Sequence, residues 1–90
     1  MSDASKRRDR HDIAVEILRT AIEGKIKTHI MYKAKLSYAQ LNEYMQLLLN
    51  KGLLENVTIR QKKMDKKVYK TTRKGLQFLE NFDNVKRLWA

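Results

Sequence analysis

The ninety-residue chain contains no cysteine and no proline, and only three glycines. Without cysteine there is no disulfide scaffold, no thiolate zinc site and no cysteine nucleophile. The longest uncharged runs, residues 36–42 and 44–50, are far too short to cross a bilayer, and no signal peptide is read at the start. The two histidines, His11 and His29, lack a carboxylate cluster that would complete a zinc site. There is no nucleophile–base pair at a recognisable spacing and no glycine-rich phosphate loop. These absences speak against an enzyme, a metal or cofactor site and a membrane protein. No small-molecule pocket is legible, and no internal repeat or low-complexity tract interrupts the chain.

Positive charge is what the chain has in excess. Twenty Lys and Arg stand against ten Asp and Glu, a net charge of +10 with a pI near 10.0. The charge is clustered. Residues 60–74 hold Arg60, Lys62, Lys63, Lys66, Lys67, Lys70, Arg73 and Lys74 against Asp65 alone, which is +7 in fifteen residues. Lys25, Lys27, Lys33 and Lys35 form a second group without an acid, and Lys6, Arg7, Arg8 and Arg10 outnumber Asp3 and Asp9 near the start. Outside these segments the balance is slightly acidic. Such clustering points to a polyanion as partner. The chain is one domain with a modest core, burying about 60–65% of its unfolded surface. At 42% hydrophobic residues it is too apolar for a disordered basic tail.

Periodicity divides the chain. Residues 1–11 are polar and aperiodic and are expected to be a flexible basic arm. Residues 12–23 predict a first helix, with Ile13, Ile17 and Ala21 in one stripe and Gly24 as its stop. A short extended link follows. Thr28 is placed to cap a second helix running to about Ala34, with Ile30 and Met31 inward. Ser37 and Gln40 stand in capping-box positions for a third helix ending near Lys51 before Gly52. The connection through Lys35 and Leu36 has helix-turn-helix length. From Leu53 the period changes to two, and residues 53–60 and 67–71 predict a hairpin with a cationic six-residue connector, residues 61–66. Thr72 caps a last helix. Phe78, Phe82, Val85 and Trp89 step by four, three and four, a heptad-like seam. Tyr32, Tyr44 and Tyr69 fall beside apolar positions and read as structural, and His29 as a surface residue. The fold class is therefore α+β, mainly α: a winged helix-turn-helix in residues 12–72, followed by a C-terminal helix, residues 73–90.

Three stretches carry a resemblance. They are Thr28-His-Ile-Met-Tyr-Lys-Ala-Lys-Leu-Ser-Tyr-Ala-Gln-Leu41, then Leu48-Leu-Asn-Lys-Gly-Leu-Leu-Glu55, then Tyr69-Lys-Thr-Thr-Arg-Lys-Gly-Leu76. Over residues 12–82 the chain resembles the archaeal winged-helix family, which includes small basic DNA-binding proteins of Sulfolobus and related archaeal and viral regulators. The resemblance implies double-stranded DNA as partner, with the third helix in the major groove and the hairpin along the backbone. It also implies a homodimer made through the C-terminal helix as an antiparallel coiled coil, here through Phe78, Phe82, Val85 and Trp89. This helix reaches only to Ala90, whereas the family's is often longer.

In that docking mode Ser37, Tyr38, Gln40, Asn42 and Glu43 are the candidates for base edges. Asn and Gln suit adenine and Glu suits cytosine. Ser37 and Gln40 are equally explained by capping, and Tyr38 by the core. Lys33, Lys35, Arg60, Lys62, Lys63, Lys66 and Lys67 are the candidates for phosphates, and the N-terminal arm can follow a minor groove. The third helix has no Arg or Lys before Lys51, so the commonest specific contact, Arg to guanine, is missing. The expected function is a homodimeric transcriptional regulator, cytoplasmic and nucleoid-associated. The competing readings are an architectural protein that coats DNA with little sequence preference, an adaptor for an acidic protein partner, and an RNA-binding protein.

Overall fold

A computed structural model describes residues 8–89. The elements run α1 (Arg10–Thr20), α2 (Lys27–Ala34), α3 (Tyr38–Asn50), β1 (Leu54–Gln61), β2 (Met64–Thr71) and α4 (Arg73–Trp89). Three helices pack around one core, the two strands form an antiparallel hairpin, and α4 closes the core and runs on past it.

Local chemistry sets most of these boundaries. Asp9 caps α1, accepting from the Asp12 amide at 2.8 Å while the Asp12 carboxylate accepts from the Asp9 amide at 3.2 Å. This acidic capping box starts α1 two residues before the Asp12 that periodicity suggests. The Asp12 N–H bond holds the Asp9 carboxyl below its ordinary acidity range. The ordered domain also reaches further back than the arm expected over residues 1–11: the Arg8 guanidinium donates to the carbonyls of Ala34 and Lys35 at the end of α2. Lys6 and Arg7 lie outside the described residues.

At its other end α1 stops at Thr20, and a turn leads to Gly24, whose φ is +90°. A Cβ there would stand 3.3 Å from Val68 Cγ2. The left-handed backbone calls for glycine, and the close approach of the hairpin leaves little room for a Cβ. Lys25 then pairs with Tyr69 through two backbone hydrogen bonds of 3.0 and 2.8 Å, adding a one-residue edge to the hairpin. Thr28 does not cap α2: the helix begins at Lys27, its N-cap is Ile26, and no side chain closes that end. The strand pairing of Lys25 fixes the chain direction just before the helix and does the positioning instead.

The Ser37–Gln40 box forms as expected, with reciprocal bonds of 3.1 and 3.0 Å. At the end of α3, Gly52 (φ +73°) donates to Leu49 O and Leu53 donates to Leu48 O, a Schellman motif. Thr72 opens α4. Its hydroxyl accepts from the Gly75 amide at 3.0 Å and donates to Gly52 O at 2.6 Å, tying the two helix ends together.

The hairpin differs from its expectation. Its strands are paired from Leu54↔Thr71 out to Gln61↔Met64, so only Lys62 and Lys63 form the loop. Both have positive φ, 52° and 65°, as a two-residue type I′ turn demands. The sequence suggests a longer, six-residue connector because neither lysine is the Asn or Gly that normally signals such a turn.

The core joins all the helices. Ile17, Leu18, Ile30 and Leu41 are fully buried, and Leu48 and Leu79 nearly so. Each such side chain contributes about 1.5–3 kcal/mol. Among the described residues Thr71 is the buried polar one: its hydroxyl donates to Leu18 O at 2.6 Å and its amide to Ala21 O at 3.0 Å. Thr71→Val keeps the shape and removes the hydroxyl donor. A loss of about 1 kcal/mol is expected in thermal denaturation; an unchanged melting curve would show that the bond does not fasten the hairpin to α1.

Candidate nucleic-acid interface

The outer face of α3 is polar. Leu41, Met45 and Leu48 are buried with Tyr44 partly so, while Ala39, Glu43, Gln46 and Asn50 project outward at spacings of four, three and four. Gln46 Nε2 donates to Asn50 Oδ1 at 3.2 Å along that face. Of the residues expected to meet bases, Tyr38, Gln40 and Glu43 are exposed and Asn42 is half-buried. Ser37 and Gln40 are engaged in capping each other, which occupies the Gln40 carbonyl oxygen and leaves its NH₂ to donate. Gln46 and Asn50 are additions to the residues expected from sequence. Their signal is present there, since the same helical period that defines the apolar stripe defines its opposite face.

Tyr38 is not half core. It is 61% exposed, and Lys27 Nζ sits 4.7 Å from its ring centroid. Hydrogen bonding by Asn42 first, then by Lys27, together with the Lys27 charge, holds the phenol pKa below the usual tyrosine value. Tyr32 also departs from its expected structural place. It is 76% exposed, because the eight-residue α2 spends its inward face on Ile30 and Ala34. Tyr44 and Tyr69 pack against the core as expected.

Lys25 and Lys27 join the cationic surface, although charge clustering alone does not single them out as contacts. Lys25 is tied to the hairpin base at Tyr69 and Lys27 to the start of α3 at Tyr38, so the short link and the first residue of α2 bridge the two. Lys33 and Lys35 flank the turn between α2 and α3 and are exposed. Lys35 closes α2 with φ 57°. On the hairpin, residues 58–67 are exposed, and Arg60 stands 3.9 Å from Asp65, the one acid of that segment. Lys74 acts within the domain. Its ammonium donates to Lys51 O at 2.9 Å, completing the end of α3.

On α4 the seam divides. Phe78 and Phe82 are partly buried against the core of their own domain, whereas Val85 and Trp89 are 52% and 85% exposed, with Leu88 at 86% beside them. Arg19 pairs with Asp83 at the point where α4 leaves the domain. Among the described residues no three His, Asp or Glu side chains gather into a metal-binding set, and no helix is long and apolar enough to cross a membrane.

The order of elements, the hairpin after α3 and the polar outer face of α3 agree with a family comparison: a winged helix-turn-helix model matches residues 7–90. The chain belongs to the winged helix-turn-helix family. In the family's terms α3 holds the position of the recognition helix and the hairpin that of the wing. Two solved structures share this winged-helix fold. The Streptococcus mutans UA159 protein smu.1704 superimposes with a TM-score of 0.72 at 18% identity, over 87% of this chain and 78% of its own. Sso10a-2, a DNA-binding protein from Sulfolobus solfataricus, superimposes with a TM-score of 0.66 at 24% identity, over 91% of this chain and 85% of its own. No curated protein matches by sequence.

Proposed function

We propose that this winged-helix protein is a transcriptional regulator that binds double-stranded DNA as a homodimer. The recognition helix lies in the major groove and the wing follows the backbone. One observation carries the reading. Among the described residues three non-glycine residues adopt left-handed backbone conformations, and all three are lysines: Lys35, Lys62 and Lys63. Each occupies a position where asparagine or glycine would be more stable. Strain held at exposed cations is explained by a use for the charge. The similarity to Sso10a-2, itself a DNA-binding protein, supports the same partner.

Lys33, Lys35, Arg60, Lys62, Lys63, Lys66 and Lys67, joined by Lys25 and Lys27, supply phosphate contacts. Tyr38, Gln40, Asn42, Glu43 and Gln46 meet base edges. A second reading, architectural coating with little sequence preference, is favoured by the lack of Arg or Lys in the recognition helix.

Fluorescence anisotropy over a salt series, with random duplex and a pool of promoter fragments, separates the two. With about five of these nine cations on phosphates at once, each bound subunit gives a log–log slope of roughly −4 to −5. One fragment bound about a thousandfold tighter identifies a regulator. Equal binding to all duplexes identifies a coating protein, and no binding to any duplex removes DNA as the partner. On the best fragment, Glu43→Ala combined with Gln46→Ala is expected to reduce discrimination about tenfold. Affinity for random duplex will hold or rise, because a carboxylate has left the surface that faces phosphates. If discrimination does not move, this face does not read bases.

A further inference from the structure

The basic residues around the far end of α3 take no part in the DNA contacts proposed above. A groove of about 760 Å³ opens there, between the start of α1, the end of α3 and the start of α4. Its walls are apolar, with Ala14, Tyr44, Leu47 and Phe78. Arg10, His11, Lys51 and Lys74 stand around them, and among the described residues no Asp or Glu lines the groove. Lys51 at the C-cap of α3 and Tyr38 at its first residue are about 20 Å apart along the helix. Small-molecule sites share this make-up: roughly 300–1,000 Å³ of mostly apolar wall with a few converging polar groups.

The charge at the groove is uncompensated. The ion pairs among the described residues are Arg19 with Asp83 and Arg60 with Asp65, so Arg10, Lys51 and Lys74 have no carboxylate partner there. Asp9 and Asp12, next to Arg10 and His11 in the chain, are turned to each other's amides in the cap of α1. The groove also borders the C-terminus of α3, whose carbonyls repel an anion. Lys74 answers that end: its ammonium donates to Lys51 O at 2.9 Å, and its stem passes 4.0 Å from where a Gly52 Cβ would stand. An ammonium has three donors, so two remain for a ligand. We infer that this groove binds a small organic carboxylate with an apolar body, of the size of a medium-chain free fatty acid. The apolar body lies against Tyr44, Leu47 and Phe78, and the carboxylate reaches Arg10 and Lys74 at the rim. An inorganic anion leaves the apolar walls wet, and a neutral hydrocarbon leaves the cations unpaired. Because the walls come from three helices, the ligand braces α3 against α1 and α4.

The full-length protein is titrated with anilinonaphthalene sulfonate, and the bound dye is displaced with decanoate or with decanol, a neutral molecule of equal length. The expected result is saturable dye binding at about one site per chain, with decanoate displacing it at about one-tenth of the concentration that decanol needs. Leu47→Glu places a carboxylate on the apolar wall. It is expected to weaken dye and decanoate binding about tenfold or more, while circular dichroism verifies that it folds. Arg10→Gln combined with Lys74→Gln keeps hydrogen-bond donors and removes both charges. It is expected to abolish the preference for decanoate over decanol, a result that lost packing alone does not give. Equal displacement by decanol and decanoate in the wild-type protein overturns the carboxylate assignment. Dye binding that Leu47→Glu leaves unaltered, or no dye binding at all, overturns the groove as the site. Dye binding that appears only on dilution, in step with dissociation seen by sedimentation, shows that a second copy covers the groove and overturns the small-molecule occupant.

Discussion

Replacing Lys62 by Asn and Lys63 by Gly will make the protein more stable and a poorer DNA binder. The two effects have one cause. Both lysines hold left-handed backbone conformations in a two-residue turn. Asn-Gly is the preferred sequence for that turn, and removing two strained residues is expected to raise stability by about 1–2 kcal/mol. For a domain of this size that is a rise in Tm of roughly 5–10 °C. The same change removes two cations from the tip of the wing. Two lost phosphate contacts reduce the salt slope by about 1.8, which is a roughly 60-fold loss of affinity at 0.1 M salt relative to 1 M. Thermal denaturation and an anisotropy salt series on one preparation test both. A stabilised variant with unchanged affinity and slope would remove the wing tip from the DNA interface.

Gly75→Ala is expected to be the most damaging small substitution in the molecule. By helix propensity alone it should help, since Ala exceeds Gly by about 1 kcal/mol inside a helix. Packing overrules propensity here. A Cβ on Gly75 would lie 2.3 Å from Leu53 O and 2.5 Å from Thr71 Cγ2. The first obstacle is backbone, held where the chain passes from α3 to β1, and it cannot rotate away. The first turn of α4 must therefore shift outward, which breaks the Thr72 hydroxyl bridge to Gly52. A loss of about 3 kcal/mol, the upper range for overpacking, lowers Tm by roughly 10–20 °C. A melting temperature equal to wild type would mean that α4 docks less tightly than described.

The sequence is most legible where a side chain itself closes a helix end. Ser37 with Gln40, Gly52, and Thr72 each signal a boundary through chemistry readable within three residues, and each boundary stands where expected. Legibility fails where the backbone is held from a distance. Thr28 looks like a cap, but α2 is started by the pairing of Lys25 with Tyr69, forty-four positions away in sequence. The wing turn is hidden because lysines occupy positions that local stability would give to Asn and Gly. The candidate interface is half legible. Charge clustering leads to the wing and to the group of Lys25, Lys27, Lys33 and Lys35, from which the helix-turn-helix spacing singles out Lys33 and Lys35; Lys27 gains its place from its contact with Tyr38. The docking mode weights the N-terminal half of the helix, so the expected base-facing residues stop at Glu43, and Gln46 lies one turn further along the same face.

The pairing of Lys25 with Tyr69 also divides the wing by how readily it opens. At its base β2 is fastened on two sides, to β1 and to the link before α2, and the neighbouring Thr71 is anchored to α1. From Thr58 to Lys67 the hairpin has only its own cross-strand bonds and is exposed. Amide hydrogens of the outer wing should thus exchange through small local openings, while the Tyr69 and Thr71 amides should wait for unfolding of the whole domain. In the proposed DNA complex the outer wing can adjust to the curvature of the backbone while its root keeps the bearing of α3.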